Sequence, residues 1–231
     1  MRVLDGSGIL YIHTLLYRHF GDPGWWPGDT PFEVAVGAVL TQNTSWVNVE
    51  RAIGRMKDMG ILDPLSVLEH REDIPYLIRS AGYYNQKSGY LIGLCEYLVE
   101  GYGGDISRMS EKGTERLRWD LLDLKGIGRE TADSILCYSL NRPVFVVDSY
   151  TKRVFERLDR DEYAEISEGP GAEYDRIKDH VEISLKGDNL LYNRLHALIV
   201  YLGKGICRPK PLCGSCPLNT SCGSYLHADD R

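Results

Sequence analysis

Leu121-Leu122-Asp123-Leu124-Lys125-Gly126-Ile127-Gly128-Arg129-Glu130-Thr131-Ala132-Asp133 runs as a helix end, a Gly-Ile-Gly turn and the start of a second helix. Gly126 and Gly128 permit backbone conformations and close approaches that a Cβ would obstruct, and Ile127 can pin the hairpin to a core. Amides exposed at the start of the second helix can bind an anion, helped by the local dipole. An ordinary tight turn between helices is the commoner use of Gly-x-Gly, so the stretch needs support from elsewhere.

That support lies downstream, in Val146-Val147-Asp148-Ser149-Tyr150-Thr151-Lys152-Arg153-Val154, where an acidic residue follows an apolar run and precedes a helix. The simplest role for Asp148 is an N-cap. A capping carboxylate held beside a pocket is also able to orient water and stabilise developing positive charge, and the two roles are compatible.

Outward from these two stretches, apolar residues recur at helical spacing: Ile9, Ile12, Leu15 and Leu16; Phe32, Val36, Val39 and Leu40; Val49, Ile53 and Met56. The pattern repeats around 91–98, 117–124, 131–140, 151–158 and 190–202, with Gly, Pro, Asn or Asp between. The one β-like run, 143–147, is short and has no obvious partner. The expectation is an all-α chain of about ten short helices with short connections.

With 231 residues and 43% hydrophobic content, the chain can bury a substantial core. Its net charge of −6 does not announce a nucleic-acid binder, so any such case must rest on local features. No stretch approaches the ~20 apolar residues that span a bilayer, and the start of the chain lacks a signal-peptide layout. A cytoplasmic, nucleoid-associated protein with no membrane partner is expected. Of six cysteines, Cys95 and Cys137 sit alone in helix-like runs. The others, Cys207, Cys213, Cys216 and Cys222, form Cys-x5-Cys-x2-Cys-x5-Cys, which points to a shared metal centre. Zinc and an iron–sulfur cluster are both chemically possible with four cysteines. Arg208 and Lys210 project from the same loop, where contact with phosphate and simple solvation are equally good accounts.

Taken together, Leu-Lys-Gly-Ile-Gly-Arg at 124–129 and Val-Val-Asp at 146–148 resemble the helix-hairpin-helix and Gly/Pro…Asp signature of the endonuclease III superfamily of DNA glycosylases, over nearly the whole chain. The resemblance implies a two-domain endonuclease III-like fold. A six-helix barrel would span residues 25–140, and a helical domain with a C-terminal iron–sulfur loop would comprise 1–24 plus 141–231. It implies a catalytic Asp148 and a hairpin of Gly126, Ile127, Gly128 and Arg129 that grips double-stranded damaged DNA. It also implies a [4Fe-4S] cluster on the four cysteines, although the family loop usually has one more residue between the first two. Monomeric action is the family expectation. Bifunctional members carry a nucleophilic lysine directly after the hairpin arginine, and this chain has Glu130 there, so water should attack and strand cleavage should be weak or absent. Glu130 itself suits the first turn of a helix.

Gly24-Trp25-Trp26-Pro27 and Leu40-Thr41-Gln42-Asn43-Thr44-Ser45-Trp46 are similar to the branch that excises alkylated purines, the 3-methyladenine glycosylase III type. By that match Trp25 and Trp46 stack on the flipped base, Trp26 and Pro27 shape the wall, and Gln42 or Tyr83 fills the vacated stack. A cationic methylpurine suits aromatic faces and is a good leaving group. The bland alternative is that the tryptophans wedge the N-terminal segment in place. The adenine-mismatch branch uses a glutamate near the position of Gly37, and Glu33 lies a turn too early to replace it. Competing expectations are a glycosylase for oxidised pyrimidines or deaminated mismatches, and a DNA-binding relative without turnover.

Overall fold

Local signals start most of the helices in the computed structural model, which describes residues 2–227. In chain order they are α1 (Gly6–Phe20), α2 (Pro31–Leu40), α3 (Trp46–Asp58), α4 (Pro64–Glu69), α5 (Ile74–Leu77) and α6 (Tyr84–Tyr102). Then follow α7 (Thr114–Leu122), α8 (Arg129–Ser134), α9 (Ser149–Leu158), α10 (Arg160–Ser167), α11 (Glu173–Leu185), α12 (Asn189–Gly205) and α13 (Gly223–Leu226). Among the described residues there is no strand, and no helix is long and apolar enough to cross a membrane.

The chain divides into two compact units, one of Trp26–Arg142 and one of Met1–Trp25 with Pro143–Arg231. In the first, α2 is the central element. Thr30 caps it by accepting from the Glu33 amide at 3.1 Å, and Pro31 sits where a missing N–H costs nothing. Every residue from Phe32 to Leu40 is buried, and from Val34 onward the helix is apolar on all sides; Glu33 alone is charged. Around it pack α3, with Val49, Ala52, Ile53 and Met56 inward, and α6 and α8. α8 runs on into a π-helical turn, Ile135–Ser139, that packs along α2.

In the second unit, Asp5 caps α1, and the core joins Ile9, Ile12 and Leu16 to Phe155 of α9, Val181 of α11 and Leu198 and Leu202 of α12. The β-like run is extended but pairs with no strand. Its amides go to side chains instead, with Phe145 N–H donating to Glu182 Oε1 at 2.7 Å and Val147 N–H to the Tyr174 hydroxyl at 3.3 Å. Paired in this way, buried extended backbone needs no sheet.

Candidate functional site

In the hairpin, α7 ends at Leu122, and the Ile127 amide closes a turn on the Leu124 carbonyl at 3.0 Å. Gly126 has φ +83°, and a Cβ there would stand 2.1 Å from the Tyr90 ring, so both conformation and space demand glycine. Gly128 differs. Its φ of −85° is ordinary and its missing Cβ would meet nothing within 4 Å, so folding does not require it. Ile127 is buried and anchors the turn, whereas Gly128, Arg129 and Glu130 are exposed. Behind the turn, the buried Asp133 carboxylate receives Arg118 Nε at 2.7 Å and Nη2 at 3.1 Å, locking α8 to α7.

Gln42 joins this hairpin. Its Nε2 donates to the Gly126 carbonyl at 3.0 Å and to Thr131 Oγ1 at 3.1 Å. Gln42 and residues 122–131 line a hollow of about 610 Å³. In the same unit Trp26 meets Trp46 edge-on, with centroids 5.3 Å apart, and Tyr138 at 5.1 Å. Trp46 is held from the other side by its indole N–H, which donates to Glu50 at 2.6 Å. A Cβ on Gly37 would approach Trp26 Nε1 to 3.0 Å and the Trp46 ring to 3.4 Å, leaving no room for a larger side chain. Glu33 is engaged elsewhere, accepting from the Asp29 amide at 3.0 Å and pairing with Lys57 at 2.7 Å. Pro27 is exposed, as is Tyr83, which holds a left-handed conformation (φ +46°) just before α6.

In the other unit Asp148 is buried and caps α9. Its Oδ1 accepts from the Thr151 amide at 2.7 Å and hydroxyl at 3.0 Å, and Oδ2 lies 3.6 Å from His196 Nε2. Burial alone would raise the carboxyl's pKa, but the neighbouring His196 ring and the two Thr151 donors outweigh it and hold the group below its ordinary value. Here a carboxylate stays ionised out of bulk water, with one oxygen committed to the helix and the other beside an imidazole. Trp25 packs edge-on against Tyr201 at 6.0 Å, and the Lys204 ammonium lies 5.6 Å from its ring centre.

After α12, Cys207, Cys213, Cys216 and Cys222 line one cavity of about 350 Å³ together with Arg157. No disulfide links them. Arg157 Nη1 donates to Cys207 Sγ at 3.3 Å and to the Arg208 carbonyl at 2.7 Å, and Nη2 to the Pro209 carbonyl at 3.2 Å. A guanidinium that both ties the loop and faces sulfur suits an all-thiolate, anionic donor set. Among the described residues, no group of three or more His, Cys, Asp or Glu side chains is arranged to hold a metal ion. Four thiols around one cavity are a donor set that fits an iron–sulfur cluster, as it also fits zinc.

The sequence model of the HhH-GPD superfamily of base excision DNA repair proteins matches residues 36–167. The chain belongs to this superfamily. A relative from Methanocaldococcus jannaschii, named "Putative DNA repair glycosylase", is 45% identical over 216 residues, covering 93% of this chain and 95% of its own. Among solved structures, the H. pylori 3-methyladenine DNA glycosylase bound to 1,N6-ethenoadenine has a TM-score of 0.73 at 28% identity, over 87% of this chain and 97% of that one. A non-covalent endonuclease III–DNA complex reaches 0.78 at 21% identity over 98% and 99%, a likeness of fold. The HhH-GPD match spans the hairpin, Gln42, Trp46 and Asp148, while Trp25, Trp26 and the cysteine loop lie outside it.

Three residues beside these groups escaped the sequence. His196 stands in an apolar run, Leu195 to Val200, where a histidine reads as core. Tyr138 reaches Trp26 from the π-helical turn, a register that no 3.6-residue pattern reveals. Lys87, on α6, is a buried cation in a stretch that reads as polar surface.

Proposed function

We propose that this base-excision repair glycosylase of the HhH-GPD family is monofunctional and releases alkylated purines, such as 3-methyladenine and 7-methylguanine, from double-stranded DNA. The observation that carries the mechanism is Asp148, kept ionised within the protein by Thr151 and His196. A carboxylate so held is suited to orient a water and to stabilise the oxocarbenium-like sugar as the base departs. Its Oδ1 is committed to the α9 cap, so Oδ2 is the oxygen assigned to this work, with His196 as the group that orients it.

The absence of an amine after Arg129 supports water as the nucleophile. Gly126, Ile127, Gly128 and Arg129 are assigned to phosphate contact, and Gln42 and Tyr83 to the space left by the extruded base. Trp25 and Trp46 are assigned to the faces of that base, and Trp26 and Pro27 to the wall around it. The aromatic groups supply cation–π attraction to a methylated, cationic purine, and the H. pylori relative lends weight to that substrate class. Cys207, Cys213, Cys216 and Cys222 are assigned to a [4Fe-4S] cluster. Bound there, the cluster would cross-link the loop; base hydrolysis asks no electron transfer of it.

One observation favours a second substrate class. Lys204 already presents an ammonium to Trp25, which disfavours a cationic base and would stabilise a base leaving as an anion, as uracil or thymine does. Purified protein incubated with duplexes carrying 3-methyladenine, 7-methylguanine, uracil or thymine glycol separates the cases, with free base and strand breaks measured independently. Methylpurine release without breaks is expected. Preferential release of uracil transfers the assignment to deaminated bases, and thymine glycol release with breaks overturns the monofunctional mechanism.

A further inference from the structure

Lys87 is 2% exposed, and among the described residues it pairs with backbone carbonyls and with no carboxylate. Its Nζ donates to the Leu40 carbonyl at 2.7 Å and to the Ala81 carbonyl at 2.8 Å. Leu40 is the last residue of α2, two positions before Gln42. Ala81 ends a short 3-10 turn and is followed by two residues at positive φ, Gly82 at +68° and Tyr83 at +46°. A non-glycine residue at positive φ is strained and persists only where its surroundings fix it. Here the Tyr83 carbonyl also accepts the Lys87 amide at 3.0 Å, and Ser80 Oγ donates to the Asn48 carbonyl at 2.9 Å.

Burial pushes the Lys87 ammonium down to about 8, the direction expected for a cation taken out of water. A methionine of similar volume would fill the same space without that cost. The ammonium does what methionine cannot: it joins two helix-terminal carbonyls, and through them the segments that carry Gln42 and Tyr83.

We infer that Lys87 is a positioning residue for base extrusion, pinning the Gln42 loop and the left-handed Tyr83 turn to one another. The inference rests on the assignment of Gln42 and Tyr83 to the vacated stack. Its test is a double-mutant cycle on a duplex with 2-aminopurine beside a stable abasic-site analogue, comparing wild type, Lys87→Met, Gln42→Ala/Tyr83→Ala and the triple variant. No base is released from this probe, so the result stands apart from the choice of substrate and from glycosylase turnover. Tm and affinity for undamaged duplex are measured alongside.

Lys87→Met should fold, hold undamaged duplex as the wild type does, and lose about tenfold in the affinity gain for the abasic probe, with the 2-aminopurine rise reduced in parallel. The triple variant should be no worse than the double, and Lys87→Arg, which keeps the donors, should recover part of the rise. A folded Lys87→Met with the wild-type rise overturns the inference, and so does an equal added loss in the triple variant, which marks a general structural role. If Lys87→Met does not fold, amide exchange in the wild type decides: residues 41–46 and 81–84 should open as one unit, and independent opening contradicts the pin.

Discussion

Two helices of this chain begin in opposite ways. α8 starts at Gly128 with no side-chain cap and open space where a Cβ would lie, whereas α9 starts at Asp148, whose buried carboxylate closes on Thr151. A helix N-terminus attracts negative charge in either case. At α9 the protein supplies that charge from its own sequence, and the carboxylate is thereby fixed in place and kept ionised. At α8 the acidic residue of the first turn is Glu130, which is exposed, and Gly128 offers no side-chain cap; under the assignment proposed above, the open backbone there is what meets the phosphates of DNA. Under the proposed assignments, one feature of helix physics serves a chemical step in one unit and a binding step in the other.

The largest expected effect breaks the α9 side of this contrast. Asp148→Asn should still cap the helix, because asparagine accepts the same amide bond, yet base release should fall by roughly a hundred- to ten-thousandfold in single-turnover assays. DNA affinity should be unchanged. Loss of affinity together with activity would show that the residue is needed for structure alone.

At α8 the two glycines should part company. Gly126→Ala forces a Cβ into the Tyr90 ring at positive φ and should cost about 2 kcal/mol or more in chemical denaturation. Gly128→Val should cost only about 1 kcal/mol, the loss of a tolerated cap residue, because its backbone is ordinary and its surroundings open, while weakening duplex binding by occupying the approach of a phosphate. Equal stability losses would erase the distinction drawn here.

A third experiment sharpens the comparison through pH. The Asp148 carboxyl is held below its ordinary value, so its contribution to stability is fully present above the unfolded pKa and lost as pH falls through the folded one. The stability difference between wild type and Asp148→Asn, followed by denaturation from neutral to strongly acid pH, should therefore shrink as pH falls. A difference that grows on acidification would mean that the carboxyl is raised. The smallest effect on catalysis is expected from the cysteine loop. Cys213→Ser should lower iron and sulfide content and Tm, with base release per correctly folded molecule nearly unchanged.

Much of this was legible in the sequence because it depends on short-range rules. The hairpin is announced by glycine at a position where only glycine fits, the α9 start by an Asp between an apolar run and a helical pattern, and the cysteine loop by spacing. The likeness of 124–129 and 146–148 to the superfamily signature then agrees with the HhH-GPD match. What stayed hidden depends on tertiary packing. His196 lies 48 residues after Asp148 in the chain, and nothing local couples them until α9 and α12 pack together. Lys87 looks like a surface lysine until the carbonyls of Leu40 and Ala81 converge on it. Tyr138 depends on a π-helical turn that shifts its register toward Trp26. The run at 143–147 has strand composition but finds its hydrogen bonds in Glu182 and Tyr174, which no periodicity could have named.

In the proposed mechanism water assisted by Asp148, and no amine of the protein, attacks the sugar. Borohydride added during turnover on a damaged duplex tests it most directly, with released base and covalent protein–DNA adduct measured in the same reaction. A Schiff base is trapped by reduction, whereas a water mechanism leaves nothing to trap. Base release without adduct is the predicted result. An adduct forming in step with base release would contradict it, and would assign the nucleophile to an amine of this chain.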